Sequence, residues 1–386
     1  MKIYWNILAL FLVLLLPNAV AQAQYGLSFS GYVVEIPIVQ RTTRLAADLF
    51  GVEQDQFMNV NRLRLRPALS LWPDAQLTVE YELSLFYHSS PIVFQVQSKS
   101  NQRQIVDAGW YLLQEQKVSA LHYLDRFHFK QSFEFGDLTI GRQRIAWGTG
   151  RIWNPTDLFN PINPTSVAKI EKDGVDAALF KFRLGNFTDL SLVVNPQRGW
   201  STANVGYRFR ANYQEFDFSL VGGYFDNFVM FGGDFAGNLF DAGVRGEALV
   251  TLAPGNYDFK STNYILGADY QFSSRLYGLL EYHFNGEGQF EKSQYDLPHL
   301  ANGEILNVGR QYISALGTYL VHPLVTLSLN YTRNLSDRSQ FIAGSISASA
   351  SDELSLALGG QLFFGENFSE YWYYPRSLYL KADLYF

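Results

Sequence analysis

Over most of this chain, apolar and polar residues alternate one for one in runs that stop at turn residues. From Val325 to Thr332, Val325, Leu327, Leu329 and Tyr331 fall on one side and Thr326, Ser328, Asn330 and Thr332 on the other. From Leu77 to His88 the same period carries Leu77, Val79, Tyr81, Leu83, Leu85 and Tyr87 against Thr78, Glu80, Glu82, Ser84, Phe86 and His88. A period of two is the mark of a strand with unlike faces. It predicts strands at 26–38, 57–72, 75–88, 121–135, 137–147, 174–184, 187–195, 202–213, 215–225, 228–237, 241–252, 262–272, 275–285, 309–321, 324–334, 338–350, 352–363 and 375–386. A soluble sandwich alternates too, so the pattern alone does not choose between sandwich and barrel. Length and connections do: most of these strands exceed the five or six residues usual in soluble sheets. The connections alternate between very short turns and long loops, the latter at 39–56, 89–120, 148–173, 286–308 and 364–374. Short turns on one side and long loops on the other is the plan of an outer-membrane barrel. The expected fold is therefore all-β, a transmembrane antiparallel β-barrel. Its parity requires an even count, eighteen rather than sixteen.

Composition sharpens this reading. Aromatic residues make up 16% of the 386 residues, with 31 Phe, 24 Tyr and 7 Trp, and there is no cysteine. An exported protein without disulfides has to be held by other means. The opening segment MKIYWNILALFLVLLLPNAVAQAQ has a lysine, a short apolar run and Ala21-Gln22-Ala23. It reads as a signal peptide over 1–23, followed by one barrel domain over 24–386, destined for the outer membrane of a Gram-negative bacterium. The run is too short to be a spanning helix. Without one, a closed barrel is what can satisfy every backbone group in lipid. The final stretch SLYLKADLYF alternates and ends on Phe386, resembling the signal that such barrels present to their assembly machinery. Lipid, lipopolysaccharide and that machinery are the expected partners, together with a small polar solute.

With apolar faces turned to lipid, the other faces line a lumen. Arg62, Arg64 and Arg66 then point inward, as do Arg126, His128, Lys130, Lys181, Arg183, Arg208 and Arg210. They form a basic arc on the first half of the wall. Glu80 and Glu82 face Arg64 and Arg66 across a turn and are candidates for a cross-strand ion-pair ladder. Arg126, Lys130, Arg208 and Arg210 show no comparable local partner. The chain up to residue 213 is net basic and the remainder net acidic, with Asp217, Asp269 and Glu281 on predicted lumen faces. Opposed walls of this kind would set up a field across the pore.

Residues 141–166, GRQRIAWGTGRIWNPTDLFNPINPTS, break the pattern. Strict alternation would send Arg142 and Arg144 to the lipid, at a cost of about 2–4 kcal/mol each near mid-membrane. A β-bulge at Gly141 would instead turn both inward and put Ile145 and Trp147 outside. The prolines that follow cannot continue a ladder. The loop 148–173, with Arg151, Trp153, Asp157 and Lys169, is expected to fold into the lumen as a constriction.

The run GRQRIAWGTGRIWNPTDLFNPINP resembles a segment of alginate-export-type and related bacterial outer-membrane porins, in which a Gly-Arg-Gln strand leads into the loop after the fifth strand. That resemblance implies an eighteen-stranded monomeric barrel with an arginine-lined passage for an anionic or polar solute. The acidic second half departs from the family's pattern.

Enzyme chemistry finds little footing. The six histidines show no metal-ligand spacing, and a Ser-His pair cannot be placed. His122 and His128 are expected to share a lumen face. The acidic net charge of −6 speaks against nucleic acid. The reading is a passive porin-like channel without cofactor or metal. The alternative is a non-conducting barrel that binds a surface polymer or serves assembly, through loops 89–120 and 286–308.

Overall fold

The computed structural model describes residues 26–90, 103–159, 171, 173–198, 203–301 and 305–386. The expected signal peptide and Lys169 lie outside these. The described chain forms one antiparallel sheet: β1 (Leu27–Arg41), β2 (Asp55–Trp72), β3 (Ala75–His88), β4 (Gly109–Gln114), β5 (Val118–Phe133), β6 (Gly136–Gln143), β7 (Val175–Arg183), β8 (Asp189–Pro196), β9 (Ala203–Tyr213), β10 (Phe216–Phe225), β11 (Phe228–Leu239), β12 (Ala242–Leu252), β13 (Phe259–Gln271), β14 (Leu276–Asn285), β15 (Gln311–His322), β16 (Val325–Asn334), β17 (Gln340–Ser349), β18 (Leu354–Phe364) and β19 (Arg376–Tyr385). All strands but β4 form the closed eighteen-strand barrel. Closure comes from β1 against β19, with Tyr32 opposite Tyr385 and Arg41 opposite Arg376. Gly31 and Phe386 exchange backbone hydrogen bonds of 2.9 and 3.1 Å. No helix among the described residues is long and apolar enough to cross a membrane.

Every second connection is short, such as Pro73-Asp74 between β2 and β3, or residues 323–324 between β15 and β16. The intervening ones sit at the opposite end and, apart from the two-residue turn Asp226-Asn227 between β10 and β11, are longer, the longest joining β3 to β5 and β6 to β7. The outward face carries exposed Phe127, Phe133, Leu192, Val194, Leu220, Leu266, Leu280, Leu327, Leu329, Leu358 and Leu380. An apolar belt facing out of a closed sheet is what a bilayer solvates.

The inner face is not polar throughout. Tyr32, Val34, Ile36 and Ile38 of β1 share the lumen side of the register with Arg62 and Arg64, and they pack with Val60, Phe86, Leu121 and Tyr123. A second buried cluster sits inside β7 to β12.

Three details depart from the alternation. First, the bulge lies in β5 and not at Gly141. Glu80 pairs with Arg126 but Tyr81 with Leu124, which leaves Asp125 as the extra residue. The register through Gly141 is unbroken on both sides. Below the bulge Arg126, His128 and Lys130 keep the lumen side. Above it the faces exchange, so His122 points outward, buried under Trp110 at 4.0 Å. His122 and His128 therefore do not share a face.

Second, β6 ends at Gln143, four residues short of the expected end. Arg142 pairs with Phe127 and Asp176 on the outward side and does not enter the lumen. Its cost there is met locally: its Nε donates to Asp176 at 2.8 Å, its Nη1 to the Leu124 carbonyl at 2.9 Å, and its Nη2 to the Val106 carbonyl. Third, β4 was not expected. It pairs with the upper part of β5, beside which β6 would have continued, and so patches the wall where β6 leaves it.

Candidate functional site: a loop strapped across the lumen

After Gln143 the chain turns inside the barrel. Ile145, Trp147, Leu158 and Phe159 are buried against Val175, Ala177, Val193, Val221, Phe225 and Leu249 of β7, β8, β10 and β12. Ile145 and Trp147 thus face the inner wall, contrary to the outward orientation expected from a bulge at Gly141. Apolar contact with the wall replaces contact with lipid. Trp147 meets Phe159 edge-on at 5.2 Å. Farther along, Trp153 packs with Ile265 and Tyr312 and stacks on His283 at 4.8 Å. The inward segment begins at residue 144, four residues before the expected loop, and is described to Phe159.

Two wall carboxylates hold it. Glu247 of β12 accepts from the backbone N–H of Thr149 (2.5 Å), Gly150 (2.6 Å) and Thr156 (3.0 Å), and from the Thr156 hydroxyl (2.8 Å). Glu281 of β14 accepts from the N–H of Arg151 (3.0 Å), Ile152 (3.3 Å) and Trp153 (2.7 Å). Both are buried. Successive N–H groups curled around an anion form a nest, and here the anion is built into the wall. The Gly148-Thr149-Gly150 sequence makes the approach possible. Gly148 has φ of +89°, and a Cβ there would stand 2.7 Å from a Glu247 carboxylate oxygen. Arg245 adds a third tie, donating to the Thr149 carbonyl at 3.1 Å while pairing with Asp269.

The basic arc resolves into ion pairs. Arg64, 1% exposed, donates to Glu80 at 2.6 Å and Glu82 at 3.0 Å, pairs with Asp125, and lies 3.3 Å from Glu171. Arg62 reaches Glu82 at 2.9 Å and Arg66 pairs with Glu171. The residues without an obvious partner in sequence find one in space. Arg126 pairs with Asp125 (3.0 Å), Lys130 with Asp137 (3.6 Å), and Arg210 with Asp189 (3.0 Å). Arg208 donates to the Ser219 hydroxyl at 2.9 Å and lies 4.0 Å from Asp234. Lys181 also reaches Asp189 (3.4 Å), and Arg183 also reaches Asp137 (2.7 Å). Lys130, Lys181, Arg183 and Arg210 therefore share two carboxylates, Asp137 and Asp189, near the short-turn end. Glu80, Asp125 and Glu171 lie close enough to suggest a metal cluster, but the arginines already neutralise them.

On the loop itself, Arg144 and Arg151 are exposed and make no ion pair among the described residues. Trp153 and Asp157 are buried. Glu281, expected on the lumen face as part of an acidic wall, lies on that face and serves as an anchor for the loop. Glu247 was missed, although its lumen parity with Arg245 and Leu249 in β12 and the Gly-Thr-Gly run were both legible. Nothing in sequence linked them across about a hundred residues.

Beyond the loop, toward the long-loop end, lies a cavity of about 610 Å³ between Trp153–Leu158, the inner faces of β12 to β14, and residues 305–308.

No family model matches the sequence, and comparison with curated protein sequences finds no match. Solved structures do match in fold. Acinetobacter baumannii OccAB1 superposes with a TM-score of 0.59 at 10% identity, over 96% of this chain and 99% of that one. Pseudomonas aeruginosa OccK8 (OprE) gives 0.59 at 9% identity, over 94% and 99%. Pseudomonas aeruginosa OccK5 (OpdH) gives 0.55 at 9%, over 92% and 97%. At such identities the likeness establishes the porin-type barrel. It lies with Occ porins and lends no support to the alginate-export type.

Proposed function

We propose that this barrel is a passive outer-membrane channel for small polar or anionic solutes, with residues 144–159 as its constriction. One observation carries the reading: a loop strapped to the inner wall by Glu247 and Glu281 carries two exposed arginines, Arg144 and Arg151, that make no ion pair among the described residues. A loop filling space at random would not need seven directed hydrogen bonds onto two buried carboxylates. Two arginines on the constricting loop that make no ion pair among the described residues support anions over cations among inorganic ions. The fold neighbours are outer-membrane porins, which supports the same location and activity. The pairing of Phe386 with Gly31 supports a role for the last strand in closure, and its alternating sequence ending on Phe386 is the ground for proposing recognition by the assembly machinery.

The test is single-channel recording in planar bilayers. Discrete conductance steps are expected, with a reversal potential under a salt gradient that favours anions. Replacing Arg144 and Arg151 by Ala should shift that potential toward cations. A pure, folded barrel that carries no current, even with 148–159 shortened, would refute the channel.

A further inference from the structure

The cavity above the constriction has a chemistry of its own. Its carboxylates are committed. Asp226 holds Arg103 (2.6 Å), Glu287 takes the Ser261 hydroxyl (3.1 Å), Asp296 takes His299 (2.6 Å), and Asp157, also on the lining, is buried and has a partner of its own. Arg103 is the one cation on the lining, and besides Asp226 it donates to the Phe159 carbonyl at 2.7 Å. What remains uncommitted is neutral. Among the described residues the side-chain amides of Asn154, Gln289 and Gln294 make no hydrogen bond, and all three line the cavity. Trp153 also lines it. Its side chain is buried, the residue being 5% exposed, yet its indole Nε1–H has no partner. A buried donor left unpaired costs about 1–3 kcal/mol, so something that accepts from it is expected when the site is in use.

An amide offers a donor and an acceptor side by side, as a hydroxyl does. A carboxylate solute would find only acceptor-rich, net acidic walls and no free cation. An ammonium, which only donates, could not accept from the Trp153 indole N–H or from the amide NH2 groups. We infer that this cavity is a binding subsite for an uncharged, hydroxyl-rich solute, a polyol or short saccharide, held by Asn154, Gln289, Gln294 and the Trp153 indole before it passes the constriction. The inference rests on the channel reading for its transport meaning, but not for binding itself.

Calorimetry on the detergent-solubilised full barrel tests it with three probes: maltotriose (neutral), citrate (anionic) and spermidine (cationic). Maltotriose is expected to bind best. The Trp153→Phe variant, which keeps an aromatic ring and the backbone N–H, should weaken it by about tenfold, the size expected for one lost hydrogen bond, and the Asn154→Ala/Gln289→Ala variant by at least as much. Absence of maltotriose binding, or tighter binding of citrate or spermidine, overturns the inference. The wild-type probe series decides this even where a variant does not fold. Bilayer recordings on the same preparation judge the channel separately: conductance without maltotriose binding removes the subsite alone, and binding without conductance removes the channel alone.

Discussion

Glu247 and Glu281 are acidic residues whose role is set by what curls around them. Each accepts several charge-assisted hydrogen bonds, and such bonds are worth about 1.5–3 kcal/mol apiece. Replacing both by Ala leaves the loop's N–H groups buried without acceptors. Single-channel recording of Glu247→Ala/Glu281→Ala should show larger and noisier conductance, with weaker ion selectivity, in a barrel that still assembles. Unchanged conductance would mean that the apolar contacts of Trp147 and Phe159 hold the loop alone. A different carboxyl, Glu370, sits in the loop between β18 and β19. Burial, reinforced by nearby Asp337, raises its pKa to about 8, although Tyr312, Asn334 and the Val308 N–H all donate to it. The folded loop thus holds this proton more tightly than the unfolded chain does. The stabilisation is complete below about pH 4.5 and is lost as pH rises through about 8. Hydrogen exchange in residues 365–375, corrected for intrinsic rates, should quicken between pH 6 and pH 9, and Glu370→Gln should flatten that change.

In the β2–β3–β5 ladder, three arginines of one strand meet acids from β3, from the β5 bulge and from Glu171. The Arg64–Glu80/Glu82 pairing follows from alternation and a tight turn, and was legible for that reason. Asp125 was not, because a bulge is a two-against-one mismatch between strands and leaves no mark on a period counted along one strand. Removing a buried partner strands the opposite charges, at about 3–5 kcal/mol. Arg64→Met should lower unfolding stability by that amount in urea titrations. The same change at Arg41, whose pair with Asp55 is 3.5 Å long and exposed, should cost under about 1 kcal/mol. Equal losses at the two sites would argue that the ladder is not a structural unit. The end of β6 teaches a related lesson. Arg142 tolerates an outward position because Asp176 and two carbonyls enclose it, partners drawn from β7, from β5 and from the segment leading to β4.

Closure of the barrel depends on a contact between its ends. At Gly31 a Cβ would stand 2.4 Å from the Arg64 carbonyl and 2.6 Å from the Phe386 ring, so that position admits glycine while β1 and β19 pair. Gly31→Leu should lower the yield of heat-modifiable, fast-migrating folded barrel on gels, whereas Ser28→Leu, on the same strand, should not. Equal yields would show that the seam has slack which the packing does not reveal.

Alternation, strand length and the parity of turns determined the eighteen-strand barrel and which face of most strands meets lipid, because each spanning strand must satisfy a period of two and every backbone group must pair with a neighbour. The same logic located an unusual loop after the fifth barrel strand. What it could not supply were relations between strands distant in sequence: the bulge that reverses His122, the acids that neutralise the basic arc, and the two glutamates that strap the loop. Those depend on which side chains closure brings within hydrogen-bonding distance, and only the tertiary structure decided them.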